Sequence, residues 1–243
     1  MTLERASYLA EAYTLGVEGA PPLVYSQLDL RDRPDHPDHR FALALQPGAV
    51  TAVVGDEDSG VGDLGRYALG LDFPRSGDVL VFGSSMRGLS YRQLLVYRRR
   101  IGYVQGGDGL LQNLTLRANV SLPLAYASDH RTREVVARTD ELLEALRIAD
   151  VADARPAAVN EEVRRRTAMA RSIALDPELL VLEQPFDGLT ARAAHDLLNR
   201  VRYRKDNAPR TILITAQDLG TNVLSLVDRC IQCVDGLAVE GTR

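Results

Sequence analysis

The sequence predicts an α/β fold with a largely parallel sheet, an antiparallel edge and helices between the strands. Short apolar runs typical of buried strands recur along the chain, and segments with apolar residues at helical spacing separate them. This alternation is typical of βαβ units, because a crossover helix returns the chain to the same end of the sheet and makes successive strands parallel. The 243 residues, 45% of them hydrophobic, are enough for one large core with a subdomain.

The antiparallel edge is predicted near the beginning of the chain. Apolar runs at 23–30 and 41–45 flank the polar, turn-rich segment 31–40, which indicates a hairpin. Residues 1–22 are predicted to form an N-terminal extension, with a helix at 3–15 that ends before a pair of prolines.

The remaining elements alternate along the chain. A buried strand at 50–54 follows the hairpin, and Asp235-Gly236 predicts a type I′ turn between the last two strands. The predicted helices are 63–69, 91–100, 131–146, 160–174 and 191–204. The other predicted strands are 78–82, 101–104, 179–182, 211–215, 229–234 and 237–240.

Charge and hydropathy limit the functional classes. A net charge of −4 gives no basic surplus, so we expect no nucleic-acid partner. The arginines at 98–100 and 164–166 are instead predicted to lie on solvated helix faces or in contacts with a partner. No apolar run approaches a membrane span, and residues 1–20 lack the pattern of a signal peptide, which predicts a cytoplasmic protein. Cys230 and Cys233 are three residues apart on a strand, so they are predicted to pack on opposite faces and to bind no metal.

The segment after strand 50–54 has the spacing of a phosphate-binding loop without its chemistry. Gly55 and Gly60 stand where the pattern G-x-x-x-x-G-K-[ST] places its glycines, but Val61 replaces the lysine and Gly62 the hydroxyl residue that holds Mg²⁺. The loop carries Asp56-Glu57-Asp58, whose charge opposes a triphosphate. We therefore expect ATP–Mg²⁺ to bind weakly, if at all. The candidate loop residues are Gly55, Ser59, Gly60, Val61, Gly62 and Asp63.

A second motif follows the apolar run 179–182. It reads Glu183-Gln184-Pro185, followed by Asp187-Gly188-Leu189-Thr190. Together with the loop, this order closely resembles the ATPase subunits of ABC transporters, which implies a RecA-like P-loop NTPase core with an inserted helical subdomain. The resemblance places Glu183 where a family member holds Mg²⁺ and Gln184 where it carries the catalytic glutamate. An amide cannot accept the proton of the attacking water, so Gln184 implies loss of the general base.

Three further positions continue the resemblance. Asn160, Glu161 and Glu162 stand at the family's signature motif, where two glycines would approach the γ-phosphate. Gln217 replaces the switch histidine, and Gln105 matches the Q-loop glutamine. A purely structural interpretation also fits Asn160, Glu161 and Glu162. Asn160 can cap the N-terminus of a helix, and acidic residues in the first turn stabilise that helix.

The segment 106–124 resembles the family region that receives the coupling helix of a transmembrane partner. Leu111, Leu114 and Leu122 are candidate anchors for that helix. The alternative is that these leucines fill the helical subdomain's own core. Together, the sequences of segments 106–124 and 183–189 most resemble those of ATPase subunits of Mla/Mce-type phospholipid transporters.

The resemblance implies an ABC ATPase-like domain at 23–243, with its core at about 23–105 and 165–243 and its helical subdomain at about 106–164. The leading hypothesis is a pseudo-ATPase that acts as scaffold or regulator of a membrane transporter. Its partners would be an integral membrane permease and an ABC ATPase subunit, in a homodimer or heterodimer on the cytoplasmic face of the inner membrane. The alternatives are a weak ATP-binding subunit with residual activity through Glu183, and a soluble interaction protein detached from any membrane.

Overall fold

The computed structural model describes residues 16–30, 40–127, 132–234 and 237–240. The helix predicted at 3–15 and the turn predicted at Asp235-Gly236 lie outside these residues. The strands are β1 (Leu23–Leu28), β2 (Phe41–Ala44), β3 (Val50–Val54), β4 (Asp78–Val81), β5 (Ser84–Ser85), β6 (Ile101–Val104), β7 (Leu179–Glu183), β8 (Thr211–Ala216), β9 (Arg229–Val234) and β10 (Leu237–Glu240).

These strands form two sheets. The first is antiparallel with the order β2-β1-β4-β5, and its β1–β2 pair confirms the predicted hairpin. The second has the order β10-β9-β3-β8-β7-β6 and is parallel except for the β9–β10 pair at its edge. All six residues of β8 are buried, as expected for a central parallel strand covered on both faces. The predicted α/β class with an antiparallel edge is confirmed.

The helices are α1 (Leu64–Ala68), α2 (Tyr91–Arg99), α3 (Leu116–Ala127), α4 (Thr132–Ala145), α5 (Glu161–Ser172), α6 (Ala191–Val201) and α7 (Thr221–Leu224). The helix expected at 63–69 is present as α1 to within one residue at each end, and short 3₁₀ turns at Glu57–Ser59 and Val61–Asp63 precede it. The sequence did not predict α3, whose pattern is interrupted by Pro123 inside the helix.

Two apolar cores lie on opposite faces of the parallel sheet. One fills the space between the two sheets and α1 and α2, and the other packs α3 to α6 against the opposite face. Cys233 belongs to the first core and Cys230 packs against the second, which confirms that the two thiols point to opposite faces. Neither Cys230 nor Cys233 forms a disulfide bond.

The predicted domain limits stay a prediction, and two observations bear on them. Val17, within the predicted extension, donates its N–H to the carbonyl of Phe82 at 2.9 Å, so this part of the extension packs on the first sheet. The boundary predicted at 164 falls inside α5, which packs against α3. In the described part of the chain, every helix is too short or too polar to cross a membrane.

The prediction that the arginine clusters lie on solvated helix faces is wrong for Arg165 and Arg166, and the alternative of partner contacts stays a prediction. Arg98 donates to the carbonyls of Leu69 and Gly70 at 2.8 and 2.9 Å. Arg165 and Arg166 are only 5% and 7% exposed. Long arginine side chains can bury their aliphatic stems while their guanidinium groups bind carbonyls or carboxylates, so a run of arginine letters does not by itself indicate an exposed face.

Candidate functional site

The loop that follows β3 is filled by its own side chains. Ser59 is fully buried and Val61 is 3% exposed. A Cβ at Gly55 would lie 2.5 Å from Oγ of Ser59 and 2.9 Å from Cγ2 of Val61, so both side chains pack directly against the glycine. Val61 also belongs to the core between the two sheets. The position that resembles the phosphate-binding lysine is therefore part of the apolar core.

Three backbone N–H groups of the loop have acceptors inside it. The N–H of Ser59 donates to the carbonyl of Asp56 at 3.0 Å, that of Val61 to the hydroxyl of Ser59 at 3.3 Å, and that of Asp63 to the carbonyl of Gly60 at 3.1 Å. A phosphate-binding loop needs such N–H groups to face its ligand. The helix behind the loop, α1, is a single turn of five residues and adds little dipole.

Acidic side chains surround the closed loop. Asp56, Glu57 and Asp58 are all exposed, and Gly62 offers no hydroxyl to a metal. Among the described residues, no group of three or more His, Cys, Asp or Glu side chains could hold a metal ion. The loop thus presents negative charge on its outside and apolar packing on its inside.

Glu183 ends β7 behind the loop, where both carboxylate oxygens accept hydrogen bonds. The Tyr103 hydroxyl donates to Oε1 at 2.6 Å, and the Gly106 N–H donates to Oε2 at 3.2 Å. Burial and the hydrogen bond to Glu183 raise the pKa of Tyr103. Burial, followed by the negative charge of Glu183, raises the pKa of Tyr25 well above its usual value, and Tyr25 donates to the carbonyl of Leu64 at 2.8 Å. Glu183 therefore links the end of β7 to β6 and to the loop that follows β6.

A cleft of about 180 Å³ lies beside the loop. Its lining combines loop residues with the ends of β7 and β8 and includes Glu183, Gln184 and Gln217. Gln184 has a left-handed φ of 44°, and its N–H donates to the carbonyl of Thr215 at 2.8 Å. The structure therefore brings these three predicted site residues to one place, together with the loop.

Gln105 and the signature-like residues do not line this cleft. Gln105 is exposed, and its Oε1 lies toward Gly109. The Asn160 side chain accepts the N–H of Val163 at 2.9 Å, which makes it the N-cap of α5. The ordinary structural interpretation of Asn160 thus describes its contact in the fold.

The two glutamates of the signature-like stretch pair with arginines one turn later in α5. Glu161 lies 3.6 Å from Arg165, and Glu162 accepts from Arg166 at 2.8 Å. Arg166 also reaches Asp196 of α6 at 2.8 Å. Hydrogen bonds from Arg200 and Arg166 hold the pKa of Asp196 well below its usual value. The contacts of Glu162 and Asp196 with Arg166 join α5 to α6, whereas the Glu161–Arg165 pair lies within α5.

The candidate anchors of the 106–124 segment are not core residues. Leu111 is 43% exposed, and Leu114 and Leu122 are half-buried and absent from both apolar cores. Their neighbours fill the core instead, namely Leu110, Leu116, Val120 and Leu124. The three candidate leucines therefore remain available for a partner.

Sequence reasoning missed Asn119 and Tyr103, which organise the two halves of the site. Asn119 is fully buried, accepts the Leu111 N–H at 2.8 Å and donates to the carbonyls of Leu111 and Thr115 at 3.1 and 3.0 Å. The signal for Asn119 was a lone amide inside an apolar run, since such a side chain must find buried partners. For Tyr103 no sequence signal existed, because its partner Glu183 is 80 residues away.

Comparison with known proteins agrees with the fold described above. The family model described as "ABC transporter" matches residues 39–187, more than half of the chain. The methionine import ATP-binding protein MetN 1 of Rhodococcus jostii is 33% identical over 181 residues, which are 74% of this chain and 53% of that protein. The uncharacterized ABC transporter ATP-binding protein YvcR of Bacillus subtilis is 30% identical over 197 residues, 81% of this chain and 75% of that protein. The chain thus spans about half the length of several curated relatives, and three quarters of YvcR.

Solved structures show the same fold. A bacterial ABC transporter cassette solved as a dimer superposes with a TM-score of 0.79 at 21% identity, covering 90% of this chain and 98% of that one. The cassette cbiO1 from Clostridium perfringens gives a TM-score of 0.76 at 20% identity, covering 91% and 88% of the two chains. The chain belongs to the ABC transporter ATP-binding family.

Proposed function

We propose that this chain is an ABC transporter subunit that neither binds ATP–Mg²⁺ in the family manner nor hydrolyses it, and that serves as a scaffold or regulator of a membrane transporter. The observation that carries the proposal is the loop at 55–63. Its interior holds the side chains of Ser59 and Val61, and three of its N–H groups, those of Ser59, Val61 and Asp63, donate to acceptors within the loop.

Nucleotide binding would work against several features at once. A phosphate would have to displace the hydrogen bonds of the loop and expose Val61, at a cost of about 1.5–3 kcal/mol for the side chain alone. It would also meet the carboxylates of Asp56, Glu57 and Glu183 in a cleft that no arginine or lysine of the described residues lines. A single electrostatic donor to a transition state is worth about 3–4 kcal/mol. With Gln184 at the position of the base, the chemical step lacks a proton acceptor as well.

The two alternatives have less support from the geometry. A weak ATP-binding subunit would use Glu183 as a metal contact, but both oxygens of Glu183 are engaged by Tyr103 and Gly106. An interaction protein detached from membranes would have no use for the open leucines of the 106–124 segment. Those leucines instead support docking of a permease helix.

The partners follow from membership of the family. The chain would join an integral membrane permease at the cytoplasmic face of the inner membrane, through Leu111, Leu114 and Leu122. It would pair there with a second ABC ATPase subunit, identical or different. The sequences of segments 106–124 and 183–189 support a phospholipid transporter of the Mla/Mce type, whereas the relatives of this chain include a methionine import protein. Membrane co-purification followed by lipid analysis would decide the cargo.

Thermal unfolding with and without ATP–Mg²⁺ tests the proposal. A ligand that binds the native state at 100 times its Kd stabilises it by about 2.7 kcal/mol. We expect no rise in the unfolding temperature at millimolar ATP–Mg²⁺. A clear rise that chelation of the metal abolishes would contradict the proposal.

A further inference from the structure

We propose that residues 3–15 of this chain bind as a helix to a pocket at the amino ends of the parallel strands, with the side chain of Tyr13 inside it. This pocket, called the edge pocket below, has a volume of about 640 Å³. Arg100, Glu178 and Thr211 line it, so it lies where β6, β7 and β8 begin. The cleft beside the 55–63 loop lies at the opposite edge of the sheet, and the inference therefore does not depend on nucleotide binding.

The described part of the chain begins in the wall of the edge pocket. Residues 16–20 form one side of it. Val17 donates its N–H to the carbonyl of Phe82 at 2.9 Å, and a Cβ at Gly83 would lie only 2.8 Å from Cβ of Val17. This turn is thus packed closely on the first sheet. Residues 1–15 consequently join the fold beside the pocket, at a point that is held in place.

The walls of the edge pocket combine apolar surface with charged groups. Its larger apolar lining residues include Pro22, Pro47, Phe82 and Pro209. The guanidinium of Arg100 lies 3.7 Å from the centre of the Phe82 ring and pairs with Glu178 at 2.6 Å. Val17, on the rim, is 62% exposed, and Tyr203, which forms a bridge to Pro209, is 53% exposed. Such a lining suits a tyrosine side chain, because its ring packs on apolar surface while its hydroxyl binds a polar group.

The helix predicted at 3–15 would carry too much apolar surface to stand alone. At about 3.6 residues per turn, its polar residues other than Arg5 fall on one stripe, at Glu4, Ser7, Glu11 and Thr14. The rest of its circumference is mainly leucine, tyrosine and alanine, and Tyr13 lies on the side away from the stripe. A helix that is apolar over most of its circumference is normally buried, and one this short is marginal in water. It therefore requires a surface on which to pack.

Tyr13 is close enough to the turn at 16–20 to reach the edge pocket. Three residues span about 4.5 Å in a helix and at most about 10 Å when extended. Gly16 itself lines the pocket, and a Cβ on it would lie 3.5 Å from Nη1 of Arg100. Because the segment is tethered there, its local concentration is on the order of millimolar, which favours it over a free ligand for the same pocket.

Site-specific photocrosslinking in the full chain tests this placement. The photoreactive amino acid p-benzoylphenylalanine replaces Tyr13 in one variant and Glu11, on the polar stripe, in the matched control. Each variant is prepared in isotopically light and heavy forms, mixed in equal parts, irradiated and digested, and the crosslinked peptides are identified by mass spectrometry. We expect position 13 to crosslink within its own chain to the peptides that contain Pro47 and Pro209, with a yield at least about fivefold higher than position 11.

Hydrogen exchange of the Val17 amide gives a second measurement that needs no photoreactive group. This amide bonds to the carbonyl of Phe82 in the wall of the pocket, so a helix bound beside it should slow its exchange. We expect Tyr13→Ser to speed the exchange at least about threefold, because the anchor in the pocket is lost. The control Thr14→Ser, on the polar stripe, should leave the exchange rate unchanged.

Several results would overturn the inference. It is wrong if position 13 crosslinks outside the pocket or no more than position 11, since equal yields would mean that tethering alone brings the segment near. It is also wrong if Tyr13→Ser leaves the Val17 exchange unchanged. Crosslinks between light and heavy chains would make a second copy the occupant, and a small molecule released on denaturation would make a ligand the occupant; either result overturns the inference. No nucleotide is present in these experiments, so their failure leaves the proposed function untouched.

Discussion

Restoring the phosphate-binding residues of the loop should exchange stability for nucleotide affinity. The repaired variant replaces the lysine and hydroxyl positions and neutralises the loop acids through Val61→Lys, Gly62→Ser, Asp56→Asn, Glu57→Gln and Asp58→Asn. Val61 is 3% exposed within a core, so losing its burial costs roughly 2 kcal/mol. At Gly62 a Cβ meets nothing within 4 Å, so the serine fits without strain.

A loss of roughly 2 kcal/mol lowers the unfolding temperature by about 4–8 °C for a chain of this size. ATP–Mg²⁺ at 100 times its Kd should return about 2.7 kcal/mol to the repaired variant and nothing to the wild type. Scanning calorimetry with and without nucleotide measures both effects. Val61→Ala is the matched control, because it removes part of the same packing without adding a charge, and it should lose stability without responding to ATP.

Two results would refute this reasoning. If the repaired variant unfolds at the wild-type temperature without nucleotide, Val61 contributes nothing to the core. If wild type and repaired variant respond equally to ATP–Mg²⁺, the filled loop is not what excludes phosphate. Hydrolysis should stay absent in both, and turnover by the repaired variant would show that Gln184 is not the position of a lost base.

Two further predictions concern docking and the contact between α5 and α6. Leu111→Arg or Leu114→Arg should abolish co-purification with the membrane partner and leave the unfolding temperature nearly unchanged. The control Leu110→Arg changes a core residue that is only 6% exposed, so it should unfold the chain. If the first two variants also unfold, Leu111 and Leu114 are core residues and the docking prediction is wrong. The pKa of Asp196 is lowered in the folded state, so its charge stabilises the fold above its unfolded pKa of about 3.9, and that contribution is lost as the pH falls through the folded value. In urea titrations, the difference in unfolding free energy between wild type and Asp196→Asn should be largest at pH 6 to 7 and should shrink below about pH 4. A difference that stays constant down to pH 2 would contradict the lowered pKa of Asp196.

The strands were predicted more reliably than the helices. Every predicted strand outside the undescribed residues is present to within two residues, because a buried parallel strand reads as an apolar run. Helix α3 was missed at Pro123, whereas the helix expected at 63–69 is present as α1 to within one residue at each end. The miss occurs where a proline interrupts the pattern that is typical of a helix.

The sequence by itself determined the family, the α/β fold and the replacement of most residues at the family's ATP-contact positions, Gly55, Gly60 and Gln105 being retained, since these depend on residue type and spacing along the chain. Only the tertiary structure decided what the replacements do. Ser59 and Val61 fill the loop, Tyr103 engages Glu183 across 80 residues, and Glu162 joins α5 to α6 through Arg166. Some of these contacts join elements that are distant in the chain, and the others lie within a loop that folds back on itself. A linear pattern cannot show them, because burial and hydrogen-bond partners are set by packing.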